Sequence, residues 1–295
     1  MADSTDIASS SASSFSAGTG ALAAGSLGAL APSWWEPEDG SAPEPWLTPD
    51  EAFERFLDWA GDQGIELWPH QEEALMDLAA GDHVILGTPT GSGKSLVALG
   101  MLYLGIAQGK RTYYTAPIKA LVSEKFFDLV EVLGRDNVGM ITGDTHINTQ
   151  APVICCTAEI LANQALREGE GCDVGRGWAW QVPLLTLPHT QFMLMSATLG
   201  DVTQIADALR ERTGAEVDVV ADAPRPVPLS YEYVTTALEG TVELAMRRGE
   251  APLYIVHFSQ DAALSTASSL ANFGVATKEQ REAIKQASRG TRFTT

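Results

Sequence analysis

The stretch Thr88-Pro89-Thr90-Gly91-Ser92-Gly93-Lys94-Ser95 carries the residue types that phosphate chemistry needs, between an apolar run at 84–86 and a helical pattern from Leu96. A strand that turns through glycines into a helix leaves backbone N–H groups and the positive helix end aimed at one point, where a polyphosphate can sit. Lys94 would neutralise the β- and γ-phosphates, and the Ser95 hydroxyl would ligate Mg²⁺. Such a phosphate-binding loop usually opens with glycine, where this chain has Thr88; the other signature positions fit. The bland alternative, a Gly/Ser-rich turn followed by an unrelated lysine, leaves the flanking strand and helix patterns without a role.

Other residues with chemical potential stand at comparable turns. Gln71, in Trp68-Pro69-His70-Gln71, offers the paired donor and acceptor that an adenine edge requires, although an exposed helical glutamine is the commoner case. Pro117 and Lys119 follow the run 112–116, at the carboxyl side where open α/β sheets bind ligands. Lys119 reads equally as a phosphate contact or a solvated surface charge. Thr142-Gly143-Asp144, Thr157-Ala158-Glu159 and Ser196-Ala197-Thr198 likewise follow apolar runs, and each threonine or serine could simply cap a helix.

The elements that must position these residues follow from hydrophobic periodicity. Strands are expected at 84–86, 112–116, 138–142, 153–156, 192–195 and 217–220, alternating with helices at 96–107, 121–133, 160–166 and 205–209. That alternation predicts right-handed βαβ units on a parallel sheet, an α/β fold. Thr48-Pro49-Asp50-Glu51 predicts a capping box and the start of the ordered domain. Residues 1–47 read as a disordered tail, rich in Ser, Ala and Gly and then acidic, with Trp34 and Trp35 expected to dock on the core in preference to a partner. The domain is expected over 48–223, with Pro224, Pro226 and Pro228 stiffening a linker at 224–228. Residues 229–295 predict a partial second α/β unit, with strands at 229–234 and 253–258 and helices at 238–248, 262–270 and 278–287.

Composition narrows the function classes. The 295 residues are 45% hydrophobic, enough for a substantial core, and the net charge of −19 is concentrated toward the first sixty-odd positions, where Arg55 is the only base. The acidic balance therefore says little about the loop-bearing region. Cys155, Cys156 and Cys172 form no CxxC pair and are odd in number, which supports neither zinc nor a disulfide framework and suits a reducing cytoplasm. No HExxH, no GxSxG and no run of membrane-spanning length is present, so metalloprotease, hydrolase-elbow and membrane readings fall away.

Taken in order, PxQ, TGSGKS, APIKAL, TGD, CTAEIL and SATLGD resemble the motifs of superfamily 2 RNA helicases of the DExH type, closest to the exosome-assisting, antiviral-type branch found in actinobacteria. The resemblance implies two RecA-like domains that clasp ATP and Mg²⁺ between them, with single-stranded RNA or DNA crossing both. It implies that Gln71 reads adenine while Thr90, Gly91, Ser92, Gly93, Lys94 and Ser95 hold the phosphates and metal. It also implies that Pro117, Lys119, Thr142, Gly143, Thr157 and Glu159 line the nucleic-acid path and that Ser196, Ala197 and Thr198 couple hydrolysis to domain motion. Ile65 stands where relatives often place an aromatic that stacks on adenine.

One part is missing. ATP hydrolysis needs an Asp that holds Mg²⁺ and a Glu that orients water at the end of an adjacent strand. The family's DExH lies between CTAEIL and SAT, but here that interval reads Gly171-Cys172-Asp173-Val174-Gly175-Arg176-Gly177-Trp178-Ala179-Trp180, without a Val/Ile run. No catalytic acid is identifiable, and Asp173 is a poor substitute. The gap reads as an internal deletion near 175/176, which removes a central strand and opens backbone groups, with Val182-Pro183-Leu184-Leu185 available to refill part of it. Two readings result: an ATP-dependent helicase present as a fragment or deleted form, or a module that binds ATP and nucleic acid without turnover.

Overall fold

The computed structural model describes residues 25–35, 44–168, 181–198, 200–225, 228–273 and 278–287. The chain divides into two units, Met1–Pro228 and Leu229–Thr295. No described helix is long and apolar enough to cross a membrane.

In the first unit, α1 (Pro49–Asp62) starts at the expected capping box: the Thr48 N–H donates to Glu51 Oε2 at 2.9 Å and the Glu51 N–H donates back to Thr48 Oγ1 at 3.3 Å. Strand and helix then alternate through α2 (Pro69–Ala80), β1 (His83–Leu86), α3 (Lys94–Ala107), β2 (Thr112–Ala116), α4 (Lys119–Leu133) and β3 (Val138–Ile141). A short β4 (His146–Ile147), which periodicity does not reveal, returns antiparallel to β3. There follow β5 (Val153–Thr157), α5 (Ala158–Glu168), α6 (Gln181–Thr186), β6 (Met193–Met195), α7 (Thr203–Thr213) and β7 (Val217–Val220).

The fold is α/β, and every pairing except β3 with β4 is parallel. The strands nevertheless form two sheets, one ordered β6-β1-β7 and the other β2-β5-β3-β4. One apolar cluster serves both: Val84 and Leu86 of β1 share it with Val153 and Cys155 of β5 through Leu99 of α3 and Leu129 of α4. On the opposite face the core is divided. Ile85 and Val217 pack with Ala206 and Leu209 of α7, whereas Ile154 and Cys156 pack with Ile160 and Leu161 of α5. Among the described residues, β6 and β2 are therefore edge strands, each paired on one side only.

Parallel pairing fixes which backbone groups those edges leave open, because each residue's N–H and C=O point to the same side. Thr112 N–H donates to Pro152 O, so Thr112, Tyr114 and Ala116 face β5 and the main-chain groups of Tyr113 and Thr115 face away. Val84 N–H donates to Phe192 O and Ser196 N–H to Leu86 O, so those of Met193 and Met195 face away from β1.

Three expectations need correction. The stretch 182–185 does not refill a strand position: it is the helix α6, whose Val182 packs on Ala158, Ala162 and Ala165. Part of the expected disordered tail is packed structure. Leu27 is wholly buried in the main core, Leu27 N–H donates to Val132 O, Trp59 Nε1 donates to Ser26 Oγ, and Arg55 holds Leu30 O. Gly28 lies so close to α4 that a Cβ there would stand 1.9 Å from Leu133 O, so only glycine lets this segment approach. Third, the second unit has helices α8 (Leu238–Arg248), α9 (Gln260–Phe273) and α10 (Lys278–Ala287), but 229–234 and 253–258 are not strands. A strand exists only where a neighbour takes its hydrogen bonds, and among the described residues neither segment has one.

Candidate functional site

All the parallel strands of the first unit release their following segments at the carboxyl edge, so the motif residues are placed there by topology. The loop 87–93 leaves β1 between β6 and β7. Gly91 and Gly93 have φ of 88° and 74°, left-handed values that glycine adopts at little cost, and Gly93 is the N-cap of the 14-residue α3. A Cβ on Gly93 would lie 2.1 Å from Gln71 Nε2. Loop and α2 are thus fitted to each other at glycine distance.

Gln71 braces this loop. Its Nε2 donates to Ser92 O at 3.3 Å and Gly93 O at 3.1 Å, while its Oε1 accepts the Trp68 N–H at 2.8 Å. His70 Nε2 lies 2.9 Å from Ser92 O, which can only accept, so this ring nitrogen carries the proton. Ser92 is buried with its hydroxyl 2.5 Å from Thr88 Oγ1, whereas Thr90 and Gly91 are exposed at the loop tip. The Thr88 that departs from the usual glycine thus ties the two ends of the loop together.

Lys94 Nζ donates to Thr88 O at 2.6 Å and Pro89 O at 2.8 Å, folded back on its own loop. Burial lowers its pKa, and the positive charge of Arg225 lowers it further. Arg225 follows β7, which pairs with β1 up to Leu86↔Val220, and this is how the charge of a residue so distant in sequence comes to act on Lys94. Nothing local in the sequence marks it, since it sits within the proline run. Positive charge at the start of a helix is suited to an anion, not to a carboxylate-held metal.

The donor set fits a triphosphate: left-handed glycines, the free start of α3 and Lys94, with the positive charge of Arg225 acting on Lys94. Mg²⁺ would be held through phosphate oxygens and the half-buried Ser95 hydroxyl. No cluster of three or more His, Cys, Asp or Glu suited to a metal occurs among the described residues. Asp173 and the Gly175–Arg176 junction lie outside them.

Ser196 joins the same group, because its N–H donates to Leu86 O at 3.2 Å where β1 enters the loop. Its Oγ accepts the Thr198 N–H at 3.2 Å, and Ala197 lies between them. The second sheet carries a separate group. Lys119 Nζ donates to Asp144 Oδ2 at 2.6 Å, and Thr142 Oγ1 donates to Asp144 Oδ1 at 3.0 Å. These contacts hold the Asp144 carboxyl below its usual range, the Lys119 hydrogen bond contributing most. Asp144 therefore links the segments after β2 and β3, a role that reading TGD as a motif does not assign. Pro117 and Gly143 are exposed at this edge, Thr157 ends β5 and Glu159 is exposed on the first turn of α5. Ile65 is buried in the core, so it presents no face to a base; Trp68, more exposed, stands edge-on to His70 at 5.6 Å.

A cavity of about 700 Å³ lies elsewhere, lined by Trp35, Phe126, Phe127 and Ile147 among others and by none of the motif residues. Concavity alone would not have located the site.

Residues 68–167 match the DEAD/DEAH box helicase family. The chain is 32% identical over 187 residues to the chloroplastic DExH-box ATP-dependent RNA helicase DExH15 of Arabidopsis thaliana, covering 56% of this chain and 16% of that protein. It is 33% identical over 175 residues to the probable helicase HelY of Mycobacterium tuberculosis, covering 54% and 19%. With the antiviral helicase SKI2 of Saccharomyces cerevisiae it shares 33% identity over 181 residues, covering 56% and 14%. The chain thus spans less than a fifth of the length of these relatives. Among solved structures, the DUF1998 helicase MrfA bound to DNA and AMPPNP aligns over 70% of this chain and 35% of its own at 19% identity, with a TM-score of 0.46. Through the stretch that holds Gln71, the phosphate loop and the segments after β2, β3 and β5, this chain is similar to the superfamily 2 helicases of the DExH type.

Proposed function

We propose that the chain is an ATP- and nucleic-acid-binding module of a DExH-type helicase, with RNA as the nucleic acid, and that it binds without turning ATP over. The observation that carries this reading is the loop itself: left-handed Gly91 and Gly93, Lys94 opening α3, and Gln71 clamped to the Ser92 and Gly93 carbonyls. Backbone N–H groups at the start of α3 would take phosphate oxygens. Lys94 would exchange two neutral carbonyls for phosphate charge, a charge-assisted contact roughly twice as strong as a neutral one. ATP would supply the triphosphate that this donor set recognises, and Mg²⁺ would supply charge neutralisation beside Ser95; Gln71, buried with both amide atoms engaged, would act on the nucleotide through the loop it braces. Lys119 and the backbone around Gly143 offer phosphate contacts to a single strand along the carboxyl edge, where Lys119 is held ready by Asp144.

Hydrolysis lacks its chemistry among the described residues. A water must be oriented and Mg²⁺ anchored by carboxylates beside β1, and the charged neighbour that acts on Lys94 is the cation Arg225. A turnover-competent helicase is the other reading, and phosphate release separates the two. The test is binding of a fluorescent ATP analogue to the wild-type chain and to Lys94→Ala, paired with phosphate release with and without single-stranded RNA. The module reading expects saturable binding weakened at least about 100-fold by Lys94→Ala, and no release above background. RNA-stimulated release would overturn the absence of turnover, and failure of the analogue to bind would overturn the nucleotide site.

A further inference from the structure

Asp144 collects donors the way a bound phosphate would. Its carboxylate accepts Lys119 Nζ at 2.6 Å and the Thr142 hydroxyl at 3.0 Å, with the Thr145 hydroxyl farther off at 3.5 Å. The two close donors come from different segments, since Lys119 opens α4 after β2 and Thr142 follows β3. A cation and a buried hydroxyl that converge on one oxyanion make an anion site, and here the anion belongs to the protein.

The carboxylate is placed so that it can be exchanged. Gly143 and Asp144 are the tip of the hairpin that joins β3 to β4, closed beneath them by the Thr142 N–H, which donates to Thr145 O at 2.8 Å, and by the pairing Ile141↔His146. Asp144 can therefore leave Lys119 by turning its own side chain while the hairpin stays closed. The Lys119 and Asp144 side chains are 51% and 68% exposed, and a pair so open to water and salt holds together weakly. The contact that fixes Lys119 is thus also one that an incoming anion can replace.

We propose that Asp144 is an internal placeholder for a backbone phosphate: single-stranded RNA takes the Lys119 ammonium, and with it the place at Thr142 Oγ1, by displacing the Asp144 carboxylate. Asp144 then sets how tightly the strand is held without touching it. The inference rests on the strand-binding reading and deepens it; nucleotide binding plays no part.

The test is fluorescence anisotropy of labelled oligouridylate with the full chain across a salt series. Asp144→Asn keeps an acceptor for Thr142 and removes the charge that holds Lys119. It is expected to bind about 5-fold more tightly than wild type at low salt, the scale of one exposed ion pair. Its log affinity should also fall more steeply with log salt, by up to about 0.7, because Lys119 then releases a counterion without giving up a carboxylate. Asp62→Asn removes the same charge at the end of α1 and is expected to stay within about 2-fold of wild type. In a Lys119→Ala background Asp144→Asn should have no effect, a coupling that a role in folding alone would not produce. Asp144→Ala, which also drops the Thr142 contact, is expected to tighten binding in the same sense. Asp144→Asn affinity equal to or below wild type, a tightening matched by Asp62→Asn, or one that survives Lys119→Ala would each overturn the placeholder and leave the strand-binding reading intact. Failure of both wild type and Asp144→Asn to bind the RNA would overturn that reading and the placeholder with it.

Discussion

Strands β1 and β5 stand against β6 and β2 as finished against unfinished. The first pair is flanked on both edges; β1 is buried at every position and β5 at all but Thr157. Among the described residues the second pair is flanked on one edge, with β6 half-exposed or exposed throughout and β2 half-buried over four of its five positions. The sequences are comparably apolar, so the difference lies in the neighbours and not in the strands themselves. Periodicity says which residues can enter a sheet, and pairing on both edges decides whether they are buried.

The widest change expected is the one that would finish the unfinished pair. Grafting about a dozen residues, an apolar strand ending in Asp-Glu, between Gly175 and Arg176 should bury both open edges. Raising stability by about 3 kcal/mol would move the melting temperature of a chain this size by about 10 °C. A graft that leaves the melting temperature unchanged would show that the edges do not accept a strand between them. Next in size is a matched truncation within one cluster. Ile85→Ala in β1 should cost about 2–4 kcal/mol, whereas Leu194→Ala in β6, packed on the same cluster but half-exposed, should cost about 1 kcal/mol. Equal costs in chemical denaturation would erase the distinction. Hydrogen exchange sharpens it within a single strand. The Leu194 amide, directed at β1, should exchange at least about 100-fold more slowly than those of Met193 and Met195.

The smallest effect concerns α2 beneath the three-stranded sheet. Burial first, and then the carboxylates of Asp218, Glu73 and Asp82, raise the Asp77 pKa to about 6. An unfolded aspartate titrates near ~3.9. The folded state therefore binds the extra proton between those values, and stability falls as pH rises through about 6. Asp77→Asn should be more stable than the parent at pH ~7.5 and equal to it at pH ~4. Because Asp77 is half-exposed and solvent-screened, the gain in urea denaturation should stay within about 1 kcal/mol.

Much of the phosphate site could be read directly from the chain, because glycine spacing, the lysine and the flanking periodicities are all local. Gln71 was legible as a residue but not as a brace: its partners are carbonyls of Ser92 and Gly93, more than twenty positions away. Arg225 and Asp144 escaped for the same reason, since their partners are set by strand order and not by spacing. The segment 25–35 misled because average composition hides a single anchor; Leu27 is enough when Gly28 lets the backbone approach α4. Residues 229–234 and 253–258 have strand sequences without strand partners among the described residues, and propensity carries no information about the partner.

The most direct test of the central claim is calorimetric titration of the full chain with a non-hydrolysable ATP analogue and Mg²⁺. One site per chain, lost in Lys94→Ala while the melting temperature holds, is the predicted result. Heat that is absent in the wild type, or unchanged in Lys94→Ala, would contradict it.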